Sequence, residues 1–385
     1  MAQELELEEI VFDFDMFKEL AGGLVNNNVT DIHIAPGTPP FIRQAKKLIE
    51  LRIPMEDDET GETVMFPIKK MLPADTKKFV EDLITYARKD DPEKGKILLD
   101  EIEKKEVDTT LSIPGVSRFR IHVSLQRSSV TCSIRVVPNK IPNIAGFPNE
   151  IRSFIQFHNG LIIVSGKTSS GKSTTLATLI DEMNKTQNRK IVTLEDPIEY
   201  LHKHNHCMVV QREIGLDTKN YKSGLLSALR EDPDVIVIGE LRDMDSFEIA
   251  LNAAESGCLV LTTMHSGDSK ETLERIISMF PDDKQNQIKS QLASVLKGIV
   301  CQQLVPCADK NYDMPLVAAF EIMTSNTAIS NAIRQGKFQD IPNIMETNKN
   351  NNMRTMRNSL NKLKETGLIS QQDWFIRNNL LQVPD

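Results

Sequence analysis

A chain of 385 residues with a formal net charge of -8 and only 5% aromatic residues exceeds what one hydrophobic core usually serves, so two or three domains are expected. The acidic balance leaves no electrostatic footprint for nucleic acid, and no nucleic-acid partner is expected. No apolar run approaches the roughly 18 residues of a membrane span, and the start MAQELELEEIVFDF is acidic rather than basic, so the expected location is cytoplasmic.

Residues 1–138 read as a small mixed α/β domain. DMFKELAGGLVNNN has helical apolar spacing, weakened late by Gly22 and Gly23, and Thr30 to Ile34 alternates as a half-buried strand does before the Pro36–Pro40 turn. Lys46 to Arg52 suggests another strand, and MEDDETGET around Gly61 a surface loop. The charge-dense run from Met71 to Glu106 reads as a solvated helical hairpin broken near Pro92. RFRIHVSL and SVTCSIRVV follow as two arms of a hairpin that would present Arg120 and Arg135 on one edge, for a special role or for solubility alone. Pro138 to Asn143 carries two prolines and marks a boundary, with residues 139–150 as linker.

Residues 151–310 show the alternating strand and helix rhythm of a doubly wound parallel sheet. LIIVSGKTSSGKSTTLATLIDEM is an apolar strand, a glycine-bearing loop and a helix in order: Gly166, Lys167, Thr168, Ser169, Ser170, Gly171, Lys172, Ser173 and Thr174 form a P-loop. Glycine lets backbone N–H groups close around a polyphosphate at a helix N-terminus. Lys172 would reach the β and γ phosphates of ATP, and the Ser173 hydroxyl would ligate Mg2+. RKIVTLEDPIEY then ends a strand at Glu195, DVIVIGELRD ends one at Glu240 after Gly239, and CLVLTTMHS ends one at His265. Ligands in such sheets gather beyond the strands' carboxyl ends. There Glu240 suits polarising an attacking water and Glu195 holding Mg2+ through a water, while His265 either handles phosphate or ties strand ends together.

The five cysteines, Cys132, Cys207, Cys258, Cys301 and Cys307, lack the spacing of a zinc site and read as buried free thiols. Residues 311–385 are expected as a C-terminal helical region, in which Ala328 to Gln335 form a short amphipathic helix, exposed if it has no special role, and the tail bearing Trp374 is a docking helix or a core cap.

GKTSSGKSTTLA, LEDPIEY, LREDPDVIVIGELRD and TMHS resemble the Walker A, Asp, Walker B and His boxes of the secretion-superfamily ATPases. The likeness extends over nearly the whole chain and is greatest to the PilT/PilU-like retraction ATPases of type IV pili. Gly239 before Glu240 is similar to that superfamily, where other P-loop enzymes place Asp. The resemblance implies a PAS-like N-terminal domain and a RecA-like ATPase domain, with Arg120 and Arg135 as arginine fingers. It also implies a homohexamer acting on an inner-membrane, PilC-like platform protein at the inner face of the cell membrane, with a paralogous ATPase as a second partner. Three departures stand out. Lys167 and Ser169 replace the family's Pro and Gly, and the segments near Gly61 and Pro92 look inserted. The family's AIRNLIRE motif reads AISNAIRQ here, and its MQT segment reads Met353, Arg354, Thr355. Alternative readings are an assembly or type II secretion ATPase, an accessory ATP-binding subunit of a retraction motor, and a nucleic-acid motor. Against the assembly reading, neither the additional N-terminal domain nor the tetracysteine element that such proteins generally carry is expected here.

Overall fold

The computed structural model describes residues 10–44, 47–56, 63–102, 104–137, 141–309, 316–347 and 353–380, and the chain divides into two compact units, Met1–Asn139 and Lys140–Asp385. Residues 57–62 of the acidic loop and 138–140 of the proline-bearing connection lie outside the described residues.

In the first unit α1 (Phe14–Asn26) starts at Asp13, whose carboxylate accepts from the Met16 N–H, and buries Phe14, Phe17, Ala21 and Leu24 at helical spacing. It continues through Gly22 and Gly23 because that apolar stripe is packed. Next come β1 (Val29–Ile34), β2 (Phe41–Gln44), β3 (Lys47–Glu50), and a separate hairpin of β4 (Arg52–Glu56) and β5 (Thr63–Pro67). The expected helical hairpin is α2 (Pro73–Ala87) and α3 (Pro92–Glu101), with Pro92 opening α3, where its missing N–H costs nothing. It is less solvated than its charges suggest: α2 buries Phe79, Val80, Leu83 and Ile84 against the sheet, while α3 buries only Gly95.

β6 (Val107–Ile113), β7 (Ser117–Gln126) and β8 (Ser129–Val136) complete an antiparallel sheet of order β3-β2-β1-β8-β7-β6. The sequence reading missed β6, although its burial alternates as a half-covered strand should. Arg127 and Ser128 join β7 to β8, both at positive φ, as a two-residue turn following the sheet's twist requires. Arg120 then stands directly opposite Arg135, and both are exposed.

The second unit begins with α4 (Asn149–Ser153) and β9 (Gly160–Ser165), followed by α5 (Lys172–Thr186), β10 (Lys190–Glu195) and β11 (Met208–Glu213). α6 (Tyr221–Ala228), β12 (Val235–Ile238), α7 (Met244–Glu255), β13 (Leu259–Met264), α8 (Ser269–Ser278) and α9 (Asp282–Val295) alternate after it. β14 (Leu296–Pro306) and β15 (Leu316–Thr324) close a seven-stranded sheet of order β11-β10-β12-β13-β9-β14-β15, parallel throughout except for the last pair. Both faces are covered: Leu161 and Ile163 of β9 enter one core, Ile162 and Val164 the other. This is the expected fold class, a mixed α/β unit followed by a RecA-like α/β unit.

Past residue 310 the chain is not helical at once, because β15 pairs with β14 along nine residues before α10 (Thr327–Gln335), α11 (Ile341–Thr347), α12 (Met356–Glu365) and α13 (Gln371–Leu380). α10 buries Ile329, Ala332 and Ile333 in the core it shares with α9 and exposes Asn331, Arg334 and Gln335. Thr355 caps α12, so Met353 and Arg354 precede that helix instead of starting it. Trp374 packs beside a small core under α12 and donates from its indole to Asn361, which makes the tail a core cap. Cys132, Cys207, Cys258 and Cys301 are buried, while Cys307 is half-buried. Among the described residues no helix is long and apolar enough to cross a membrane.

Candidate nucleotide-hydrolysing site

The loop after β9 turns sharply enough to leave Gly166 and Gly171 no room for side chains. Gly166 and Gly171 sit at φ 153° and 92°, and Ser169 at 61°. A Cβ on Gly166 would stand 2.5 Å from the Gln302 carbonyl oxygen, and one on Gly171 would stand 2.9 Å from Gln302 Nε2. Two of the expected glycine positions are thus dictated by the strand behind the loop. α5 begins directly after Gly171, so its first N–H groups and its dipole face the loop's mouth.

Lys172 is buried, and its ammonium donates to the carbonyls of Gly166 (2.8 Å) and Lys167 (3.1 Å). Burial pulls its pKa below the ordinary lysine value, opposed by the carboxylates of Glu240 and Glu199. Ser170 Oγ is buried with no hydrogen-bond partner among the described residues. The Lys167 side chain is exposed, so this departure from proline adds a charge outside the loop's packing.

Around this loop lies a cleft of about 550 Å³, lined by Thr168 through Thr174 and by the ends of three further strands. From β10 comes Glu195, whose Oε1 accepts from Thr193 Oγ1 (2.6 Å) and Gln211 Nε2 (3.1 Å). Burial raises its pKa above the usual carboxylate range, opposed by those hydrogen bonds. From β12 comes Glu240, held at Oε1 by Arg242 and at Oε2 by His265 Nε2 (3.2 Å), with 15% of its side chain exposed. From β13 comes His265, whose carbonyl accepts from Arg275 Nη1 (2.6 Å).

Gly239 has a structural cause of its own. Its N–H donates to the Leu194 carbonyl (2.7 Å) and its carbonyl accepts from Thr263 Oγ1 (2.5 Å), pinning it between two strands. A Cβ there would meet the Tyr221 hydroxyl at 3.0 Å, so the Asp of other P-loop enzymes would have to displace Tyr221.

The structure therefore brings Glu195, Glu240, His265 and the loop residues Thr168 to Thr174 into one cleft, with Gly166 packed behind it. Arg120 and Arg135 belong to the other unit, where Arg135 Nε donates to Asp31 (2.9 Å). The sequence reading missed Arg242, Tyr200, His202, Tyr221 and Gln302. Tyr200 and Arg242 stood inside quoted motifs. Tyr200 hydrogen-bonds Thr174 Oγ1 at 2.9 Å, and burial pushes the neutral His202 imidazole down to about 4. Tyr221 and Gln302 gave no local signal.

A family model described as type II/IV secretion system protein matches residues 41–381. The chain is 32% identical to the type IV pilus retraction ATPase PilT of Pseudomonas aeruginosa over 92% of this chain and 96% of that protein. It is 31% identical to the type IV pilus ATPase PilU of the same organism, over 93% and 87%. The crystal structure of the pilus retraction motor PilT with bound ADP superposes with a TM-score of 0.78 at 35% identity, covering 96% of this chain and 97% of that one.

Proposed function

The chain belongs to the type II/IV secretion system protein family, and from that membership we propose that it is the ATP-driven motor of type IV pilus retraction. It is an ATPase with an ADP-binding structural relative. One observation carries the reading furthest: Glu240, the carboxylate suited to activating water, is gripped at both oxygens in the same cleft as the P-loop.

ATP would lay its phosphates along the N-terminus of α5, and the Lys172 ammonium would leave the loop carbonyls for the β and γ phosphates. The cleft offers hard oxygen donors of the type Mg2+ prefers: the Ser173 hydroxyl and, through a water, Glu195 would hold it there to neutralise phosphate charge. Glu240 accepts the proton of the attacking water. Arg242 and His265 fix the direction of its carboxylate. Arg120 and Arg135 serve as arginine fingers; their opposed positions on β7 and β8 and their exposure support that role.

The working assembly is a homohexamer on the cytoplasmic side of the membrane, pulling on an inner-membrane platform protein, PilC-like in kind, with a paralogous ATPase sharing the work. A second reading, an accessory retraction subunit, draws support from Gln335, which α10 exposes where the retraction family has Glu, and from Lys167 in place of the family's proline.

The test is to count surface pili by electron microscopy in cells whose only copy carries Glu240→Gln. Excess pili without surface motility is the expected result. Bald cells would replace retraction with assembly, and unchanged pili would favour the accessory reading.

A further inference from the structure

We propose that Gln302, on the strand beside the P-loop strand, is a positioning residue that sets the phosphate-binding direction of the loop; this rests on the reading of the cleft as an ATP site. Cys301 of β14 pairs with Ser165 of β9, so the next residue, Gln302, lies under the loop where β9 ends. Its side chain is buried at 4% exposure and spans two parts of the loop and helix. Nε2 donates to the Ser170 carbonyl at 2.7 Å, and Oε1 accepts from Thr175 Oγ1 at 2.7 Å.

The geometry of the peptide bond turns this brace into a phosphate-directing device. In a trans peptide the carbonyl and the following N–H point opposite ways. Tying the Ser170 carbonyl to the sheet side therefore turns the Gly171 N–H toward the cleft that Gly171 lines. That amide, with those opening α5, is what a polyphosphate needs.

The hydroxyl of Thr175 has its own part. By donating to Oε1 it fixes which end of the glutamine amide faces Ser170, so that an N–H rather than an oxygen meets the carbonyl. The close approach of Gln302 also gives both Gly166 and Gly171 a second reason to lack a Cβ. A buried amide with both ends bonded is costly to rearrange, so the loop is set before nucleotide arrives.

The experiment measures Kd for a fluorescent ADP analogue, and KM and kcat for ATP, in the full-length protein. Gln302→Leu is expected to weaken ADP binding about tenfold and to raise KM by a similar factor, equal to about 1.4 kcal/mol. Its kcat should change by less than about twofold, because ground state and transition state lose the same contact. Thr175→Val should weaken binding about threefold, and Thr175→Ser, which keeps the donor, should restore the wild-type value. A purely structural role would lower the melting temperature of nucleotide-free protein and leave Kd unmoved. Wild-type protein that binds ADP beside a Gln302→Leu protein binding within about twofold of it would overturn the inference alone; wild-type protein that binds no ADP would overturn the ATP reading with it. Should Gln302→Leu not fold, Thr175→Val decides, and an unchanged Kd there overturns the proposal.

Discussion

Replacing Gly239 by alanine tests whether steric room, rather than chemistry, sets the residue before Glu240. The new methyl would stand 3.0 Å from the Tyr221 hydroxyl, 3.3 Å from the Leu194 carbonyl oxygen and 3.4 Å from Glu195 Cα. The backbone cannot slide away, because Gly239 is held at both its N–H and its carbonyl. Relief must come from Tyr221, whose ring is half-buried and whose hydroxyl is buried without a partner among the described residues. Overpacking of this kind costs about 2 kcal/mol, which lowers Tm by about 4–8 °C for a unit of this size.

Tyr221→Phe removes the atom in closest contact. Alone it should be neutral or stabilising, since an unpaired buried hydroxyl is lost. With Gly239→Ala it should recover about 1 kcal/mol, the coupling expected of residues in direct contact. Thermal unfolding of the two single variants and the double variant gives that coupling directly. Additive effects would show that Tyr221 is not the obstacle and would refute the steric account of Gly239.

Glu321 offers a pH test. It is buried, and its Oε1 accepts from both the N–H and the hydroxyl of Ser269 at 2.8 Å. Burial, opposed by the hydrogen bonds from Ser269, raises its folded pKa above the unfolded value near 4.5. The native state thus binds the proton more tightly, and stability present at acid pH is lost as pH rises through the raised folded pKa. Glu321→Gln keeps the acceptor without the charge, so its Tm should exceed wild type by about 2–4 °C at pH 8 and converge with it toward pH 4; a constant difference would refute this. For the arginines, Arg135→Ala and Arg120→Ala should each lower kcat about a thousandfold or more, on the order of an arginine finger's contribution, and leave ADP affinity within about twofold. Equal loss of ADP affinity would make them binding rather than catalytic groups. His202→Gln should flatten the loss of stability between pH 6.5 and about 4, because the neutral folded imidazole resists a proton that the unfolded one takes up; calorimetry across that range is the check.

Much of the site was legible because its signals are local. The P-loop carries its own strand, turn and helix within one short stretch, and Glu195, Glu240 and His265 each end an apolar run recognisable without neighbours. The resemblance added the arginines, which spacing alone left undecided. The charged helix α2 was misread as solvated, since its lysines and acids outnumber the apolar stripe that it buries. β2, β4, β5, β6, β11, β14 and β15 were missed, the last because its partner is set by sheet closure and not by any turn signal of its own.

What the chain's sequence determined by itself is the P-loop with its strand and helix and the chemistry at the ends of β10, β12 and β13, because backbone propensity and apolar period act over a few residues. What only the tertiary structure decided is which distant groups support that chemistry. Gln302 lies 132 residues from the Ser170 carbonyl it holds, and Glu321 lies 52 from Ser269. Such partners meet because β14 lies beside β9 and β15 beyond it, an order fixed by how the helices cover both faces of the sheet.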